Sequence, residues 1–177
     1  MFIGGLICEN GAQLIKDKVA VLGPNDGDVK LLTPDGFATQ QTIDDAGSAS
    51  AGMFMSVAGQ PIDQFTGVAK EFADNFSKDF LKGGKIDPYA IYGAQAAQVL
   101  LDAIGASDAS RSDVIAKMFA TKVDQGLLGS FSIGANGDPE GAEGAVTAIV
   151  FYKATDTLTT ETVISPAQAT VDAALGK

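Results

Sequence analysis

Few residues of this chain combine the type and the placement needed for chemistry. Gly4-Gly5 lies between the apolar pair Phe2-Ile3 and a helical pattern. A glycine pair lets the backbone turn sharply. A helix N-terminus behind it offers N–H groups and the positive end of a dipole. The chemistry on offer is ligand contact by backbone, and the competing reading is a plain turn. Residues 4–11, GGLICENG, lack the GxGxxG spacing, and no Gly-Lys-Ser/Thr follows, so they do not form a nucleotide loop. Asp35 stands in Pro34-Asp35-Gly36, just after the apolar run Val29-Lys30-Leu31-Leu32. Ligands of open α/β sheets gather outside the carboxyl ends of strands. A carboxylate there would hold an ammonium group, or else be a turn residue facing water. Tyr89 and Tyr92 are two of three tyrosines, each an apolar ring with a polar tip suited to a pocket. Their helical spacing makes packing the default. Cys8 near a helix start would have a lowered pKa, but without a second Cys or any His to assist it, a small buried hydrophobe is the expectation. Asn25-Asp26-Gly27-Asp28 and Asn136-Gly137-Asp138 hint at calcium. Both lack the acidic spacing and distal Glu of an EF-hand loop and read as turns.

The rest of the composition narrows the chemistry further. The 177 residues include no His and one Cys, so Ser-His-Asp and Cys-His catalysis and a zinc site are excluded within this chain. No internal disulfide can form, and cysteine usage leaves the compartment open. A net charge of −10 with twelve scattered Lys and Arg argues against nucleic acid, which needs clustered cations. It argues equally against an anionic membrane surface. No apolar stretch approaches the roughly 18 residues of a spanning helix, and no signal peptide is visible at Met1-Phe2-Ile3. With 46% apolar residues the chain reads as globular, one domain by length alone.

The elements that must position these residues alternate between strand and helix. Phe2-Ile3 reads as the end of a buried strand. From Glu9 a helical pattern places Leu14, Ile15, Lys18 and Val19 on one stripe and stops at Gly23-Pro24. Strands are expected at Val29 to Leu32 and Gly52 to Val57, with a short helix from Thr39 to Ala46. The long helix from Thr66 to Leu81 carries Phe65, Ala69, Phe72, Phe76 and Phe80 about four residues apart, a core or interface stripe. Gly83-Gly84 caps it. A largely buried helix is expected from Tyr89 to Gly105. Ser110 and Asp113 make a capping pair for a further helix carrying Val114, Ile115, Met118 and Phe119. Strands follow at Gly129 to Ile133, Thr147 to Tyr152 and Leu158 to Ile164, then a short helix from Ala167 to Leu175. The alternation is an α/β signature.

FIGGLICENGAQLIKD, LLTPDGF, ASAGMFMSVAG, DPYAIYGAQAAQVLLDAI and LLGSFSIGANGDP follow one another in that order. Together they resemble the C-terminal half of a type I periplasmic solute-binding protein, of the branched-chain amino-acid (Leu/Ile/Val) ABC transporter family. The resemblance covers residues 1 to about 153. It implies an incomplete α/β fold built of Rossmann-like layers. Residues 1–57 would belong to the C-terminal lobe, 58–133, mainly helices, to the N-terminal lobe, and 134–177 to the return strands and terminal helix. It also implies a ligand held in an inter-lobe cleft by hinge closure. Residue by residue, Leu6 follows the Gly-Gly turn where the family often has an aromatic wall, and Gly5 lines the cleft beside it. Asp35 is the acid that takes the ligand's α-ammonium, a charge-assisted contact. Tyr89 is the tyrosine of the Pro-Tyr pair that faces the cleft. The groups that hold the α-carboxylate belong to the family's first half and are not in this sequence.

The function implied is therefore substrate binding without catalysis and without a cofactor or metal. The ligand would be a branched-chain or related amino acid. The partners implied are an ABC permease, through the full-length protein, and either the missing N-terminal half or a second copy of the chain. The location implied is the periplasm or the cell surface. Two alternatives share the fold: a sensory domain for an amide or urea, and a fragment that binds nothing by itself. An enzyme built on paired carboxylates is disfavoured, since no clustered pair stands beside a nucleophile.

Overall fold

The computed structural model describes residues 1–141, 148–167, 169–170 and 173. Its first helix and strands are α1 (Ala12–Leu22), β1 (Leu32–Thr33), α2 (Gln40–Ala46) and β2 (Phe54–Ala58). Three helices follow, α3 (Gly67–Phe80), α4 (Ala90–Gly105) and α5 (Arg111–Phe119). The strands β3 (Lys122–Gly126), β4 (Gly129–Ile133), β5 (Pro139–Glu140), β6 (Ile149–Ala154) and β7 (Leu158–Ile164) complete the set. The chain divides into two units, Met1–Pro61 with Thr147–Lys177, and Ile62–Val146.

The first unit is built on a sheet of order β1-β2-β6-β7. Phe2 adds a parallel bridge to Leu32 outside β1, and β1 pairs parallel with β2. Parallel neighbours need a crossover, and α1 and α2 supply the two. The antiparallel strand β6 then pairs with β2, and β7 pairs with β6 through a bulge between Phe151 and Tyr152. Period-two burial decides which side chains face the helices: Met55 and Val57 of β2 and Val150, Tyr152 and Ala154 of β6 are buried. They form one cluster with Ile15 of α1, Ile43 and Ala46 of α2, and Leu31 and Phe37. The other side of the same strands carries Phe54, Ile149 and Phe151, none of them buried.

Several expectations need correction here. The helix expected from Glu9 starts with an irregular turn over Ile7–Gly11, in which Asn10 has φ 64°, and regular helix begins at Ala12. Of its expected stripe, Leu14 is 45% exposed, whereas Lys18 is buried. The ammonium survives there because it donates to the carbonyls of Gly23 (3.0 Å) and Pro24 (3.3 Å) at the helix end. Burial lowers the Lys18 pKa; the Asp26 carboxylate opposes that shift. The strand expected over Val29 to Leu32 pairs only at Leu32–Thr33. Phe2 is largely exposed while Ile3 is buried.

In the second unit α3 carries the phenylalanine stripe. Phe65, Ala69 and Ile91 form a small buried cluster. Phe72, Phe76 and Phe80 stack at 5.7 and 5.2 Å, and Phe80 ends the stripe in solvent. Gly83, at φ 84°, donates to the Ser77 carbonyl and closes the helix. α4 was expected to be largely buried, but it buries one side only, with Ile91, Gln95, Val99 and Ala103 inside and Leu100, Leu101 and Ile104 exposed. α5 starts at Ser110, whose hydroxyl accepts from Asp113 N–H. β3, β4 and β5 form a small antiparallel sheet, of which only β4 was expected. Gln95 is buried, and its side-chain oxygen accepts the Leu128 N–H, which ties α4 to the β3–β4 turn. The expected terminal helix from Ala167 to Leu175 falls largely outside the described residues.

Candidate functional site

Three of the four residues expected to meet a ligand are in the first unit, at the carboxyl ends of adjacent parallel strands. The chain leaves the Phe2 bridge into Gly4-Gly5-Leu6, and leaves β1 into Pro34-Asp35-Gly36. Gly5 has φ 136°, a conformation that side-chain-bearing residues rarely adopt. It is exposed and points the chain outward to Leu6, which is 47% exposed. Asp35 opens a single 3-10 turn, Asp35–Phe37. Phe37 N–H donates to the Pro34 carbonyl, and Ala38 N–H to the Asp35 carbonyl. The Asp35 side chain is exposed, and its Oδ1 accepts the Gly36 N–H at 3.0 Å. That bond fixes one carboxylate oxygen against its own turn.

The two loops are pressed together, and glycines make this possible. A Cβ on Gly36 would run into the Leu6 side chain and stand 2.8 Å from the Gly5 carbonyl oxygen. A Cβ on Gly11 would stand 2.5 Å from the ring of Phe37 and 3.0 Å from the Leu6 carbonyl oxygen. Phe37 is almost wholly buried in the unit's core. The Asp35 turn therefore rests on an anchored ring at one end and on the Gly5-Leu6 backbone at the other. The result is an exposed carboxylate beside an exposed leucine side chain on a braced backbone. That set can accept an ammonium group and give it an apolar neighbour. It supplies no nucleophile or acid–base pair.

The fourth residue, Tyr89, is in the second unit. It precedes the first turn of α4 and is 42% exposed. Its ring meets Tyr92 edge-on, centroids 6.0 Å apart at 86°, and Tyr92 packs on the Phe65 and Ile91 cluster. Tyr89 is thus held by packing and still presents ring surface. Cys8 is exposed rather than buried, a correction of the expectation. In the irregular turn Ile7–Gly11, Ile7 packs on the core and Gly11 is buried, while Cys8 between them is exposed. Gly11, Gly36 and Phe37 were not singled out from sequence. The signal available was two glycines each following an Asn or Asp near apolar residues, and its meaning depends on contacts between distant loops. Among the described residues no group of His, Cys, Asp and Glu could hold a metal ion, and no helix is long and apolar enough to cross a membrane.

No protein-family model matches the sequence, and no curated protein matches it. Solved structures do. A leucine-binding protein from Thermotoga maritima is 24% identical over 93% of this chain and 44% of its own, with a TM-score of 0.71. The branched-chain amino-acid transporter substrate-binding protein of Streptococcus pneumoniae, solved with isoleucine, is 14% identical over the same shares, with a TM-score of 0.68. A type 1 periplasmic binding protein from Bordetella pertussis is 17% identical over 90% of this chain and 45% of its own, with a TM-score of 0.67. The fold is that of type I periplasmic binding proteins, and this chain spans less than half the length of those it matches.

Proposed function

We propose that this chain is part of a non-enzymatic substrate-binding protein that delivers a branched-chain or related amino acid to an ABC permease. The observation that carries the reading is the exposed Asp35 carboxylate, braced at the carboxyl edge of the parallel strands against Gly5 and Leu6. The fold adds support, since two proteins that share it are described as leucine-binding and as bound to isoleucine. In this reading Asp35 accepts the ligand's ammonium, and Leu6 and Gly5 offer an apolar side chain and an open backbone beside it; Tyr89, in the second unit, is proposed by itself as a ligand-contacting ring. Such a carboxylate favours zwitterions over acids that lack an amine, because a lone carboxylate ligand would meet like charge. The longer protein would supply the groups for the α-carboxylate and act in the periplasm or at the cell surface, with ATP hydrolysis left to a partner.

A dye-based thermal melt against the twenty amino acids tests this. A ligand that binds only the folded state raises the melting temperature by mass action. Leucine, isoleucine or valine should raise it, and Asp35→Ala should remove the rise. A rise that survives Asp35→Ala would overturn the assignment of Asp35, and a cooperative melt that no amino acid moves would place recognition in the rest of the longer protein.

A further inference from the structure

We propose that Asn136 is a modification site at which the chain deamidates spontaneously, while the fold shields its other Asn-Gly pair, Asn10-Gly11, from the same reaction. The sequence holds two such pairs, at 10–11 and 136–137. In each, the glycine backbone nitrogen can attack the asparagine Cγ. The bond from Cγ to the side-chain nitrogen breaks, and that nitrogen leaves as ammonia with the proton of the glycine N–H. A five-membered succinimide remains. Solvent water adds to either ring carbonyl and opens it, to aspartate or to isoaspartate, in which the chain runs through the side-chain carbon. Water is the only co-reactant. Glycine favours the attack because it has no Cβ to crowd the approaching nitrogen.

Ring closure demands that Cβ and the following nitrogen come to the same side of the Cα–C bond. Asn10 is held at φ 64° and ψ 22°, which sets its Cβ nearly opposite the Gly11 nitrogen. It cannot rotate without dragging Gly11, which is buried against the Phe37 ring and the Leu6 carbonyl. Asn136 has no such restraint. Residues 135–140 are all exposed. Gly137 sits at φ 90°, and a Cβ there would meet nothing closer than the Phe119 ring at 4.0 Å. The turn is held by the Gly137 N–H donating to the Gly134 carbonyl (2.9 Å) and the Gly134 N–H donating to the Asp138 carbonyl (2.8 Å). A short exposed turn of this kind opens at little cost. The Asn136 Oδ1 accepts the Asp138 N–H at 3.2 Å, which stabilises the charge that gathers on this oxygen during attack.

The product has a structural consequence. Asn136 Nδ2 donates to Asp138 Oδ2 at 2.7 Å. Deamidation removes that donor and sets a second carboxylate against the first, so attraction becomes repulsion. The turn joins β4 to β5, which pair at Ser132–Glu140 and Ile133–Pro139. Conversion should therefore release β5 and leave the buried clusters intact.

Peptide mapping by mass spectrometry, with isoaspartyl methyltransferase labelling, tests this on the whole chain incubated in mildly alkaline buffer. The peptide holding Asn136 should gain the mass of an amide turned acid, in both isomers, at least roughly tenfold faster than the peptide holding Asn10. In guanidinium chloride the two should convert at similar rates. Asn136→Gln, whose longer side chain would have to close a larger ring, should stop the change with an unchanged circular dichroism spectrum. Equal rates in the folded chain, faster conversion at Asn10, or an Asn136 that stays intact while the unfolded chain converts would overturn the proposal. A difference that persists in guanidinium chloride would overturn the shielding by the fold.

Discussion

At the scale of single residues, Asp35 and Gly11 make different demands. Asp35 is exposed, so its replacement should cost the fold little. Asp35→Asn is expected to leave the chemical-denaturation midpoint within about 0.5 kcal/mol of the parent while abolishing any ligand-induced rise in melting temperature. Gly11→Ala should do the reverse of a surface change. The added methyl meets the ring of Phe37, which is 1% exposed and cannot yield without disturbing the core. Overpacking of this kind costs about 1–3 kcal/mol, measurable by urea unfolding, and Phe37→Leu in the same chain should recover part of it. Asp35 was legible in the sequence because a Pro-Asp-Gly turn after an apolar run announces both a turn and a strand's carboxyl end. Gly11, Gly36 and Phe37 were not, because their roles arise where two loops far apart in sequence touch.

At the scale of elements, the caps give the sharpest tests. Thr39 precedes α2, and its hydroxyl accepts the Thr42 N–H while Thr42 is wholly buried. Thr39→Ala is expected to destabilise the chain by about 1 kcal/mol, read as a lowered urea midpoint with an unchanged slope. The α5 start adds a pH dependence. Asp108 is held below the ordinary carboxylate pKa, first by the Ser110 side chain and then by the Ser110 N–H, which donates to it at 2.8 Å. A depressed carboxyl pKa contributes stability above its unfolded value and loses it as pH falls through the folded value. The penalty of Ser110→Ala should therefore be larger at neutral pH than in acid below the carboxylate range. Amide exchange along α5 measured at both pH values checks it. The phenylalanine stripe of α3 and the Ser110–Asp113 cap of α5 were readable from spacing, and α2 was expected as a short helix from Thr39 to Ala46. β3 and β5 were not: Lys122–Gly126 is polar and Pro139–Glu140 is two residues long, so neither has the apolar alternation that marks a strand. The missing burial of α4 has a similar cause. Its apolar residues run all round, and periodicity cannot say which side finds a partner.

At the scale of the whole molecule, the chain is two units with unequal cores. Among the described residues the first unit gathers thirteen buried residues into one cluster, whereas the second has clusters of three and two. Local opening follows the density of buried apolar contacts. Native-state hydrogen exchange should therefore show the slowest amides in β2 and β6, with α3 and α4 exchanging faster. The α/β class and most of the element order were legible, because they rest on local patterning and glycine punctuation. The sheet face left open on the first unit depends on long-range pairing that spacing does not reveal, and the expected division into lobes rested on the family resemblance rather than on spacing. The proposal that this molecule recognises an amino acid through Asp35 is tested most directly by calorimetric titration. Leucine and its des-amino analogue would each be titrated into the parent chain and into Asp35→Asn. The account predicts heat of binding for leucine with the parent alone, and none for the analogue with either. Equal binding of leucine to both chains, or of leucine and its analogue to the parent, would contradict it.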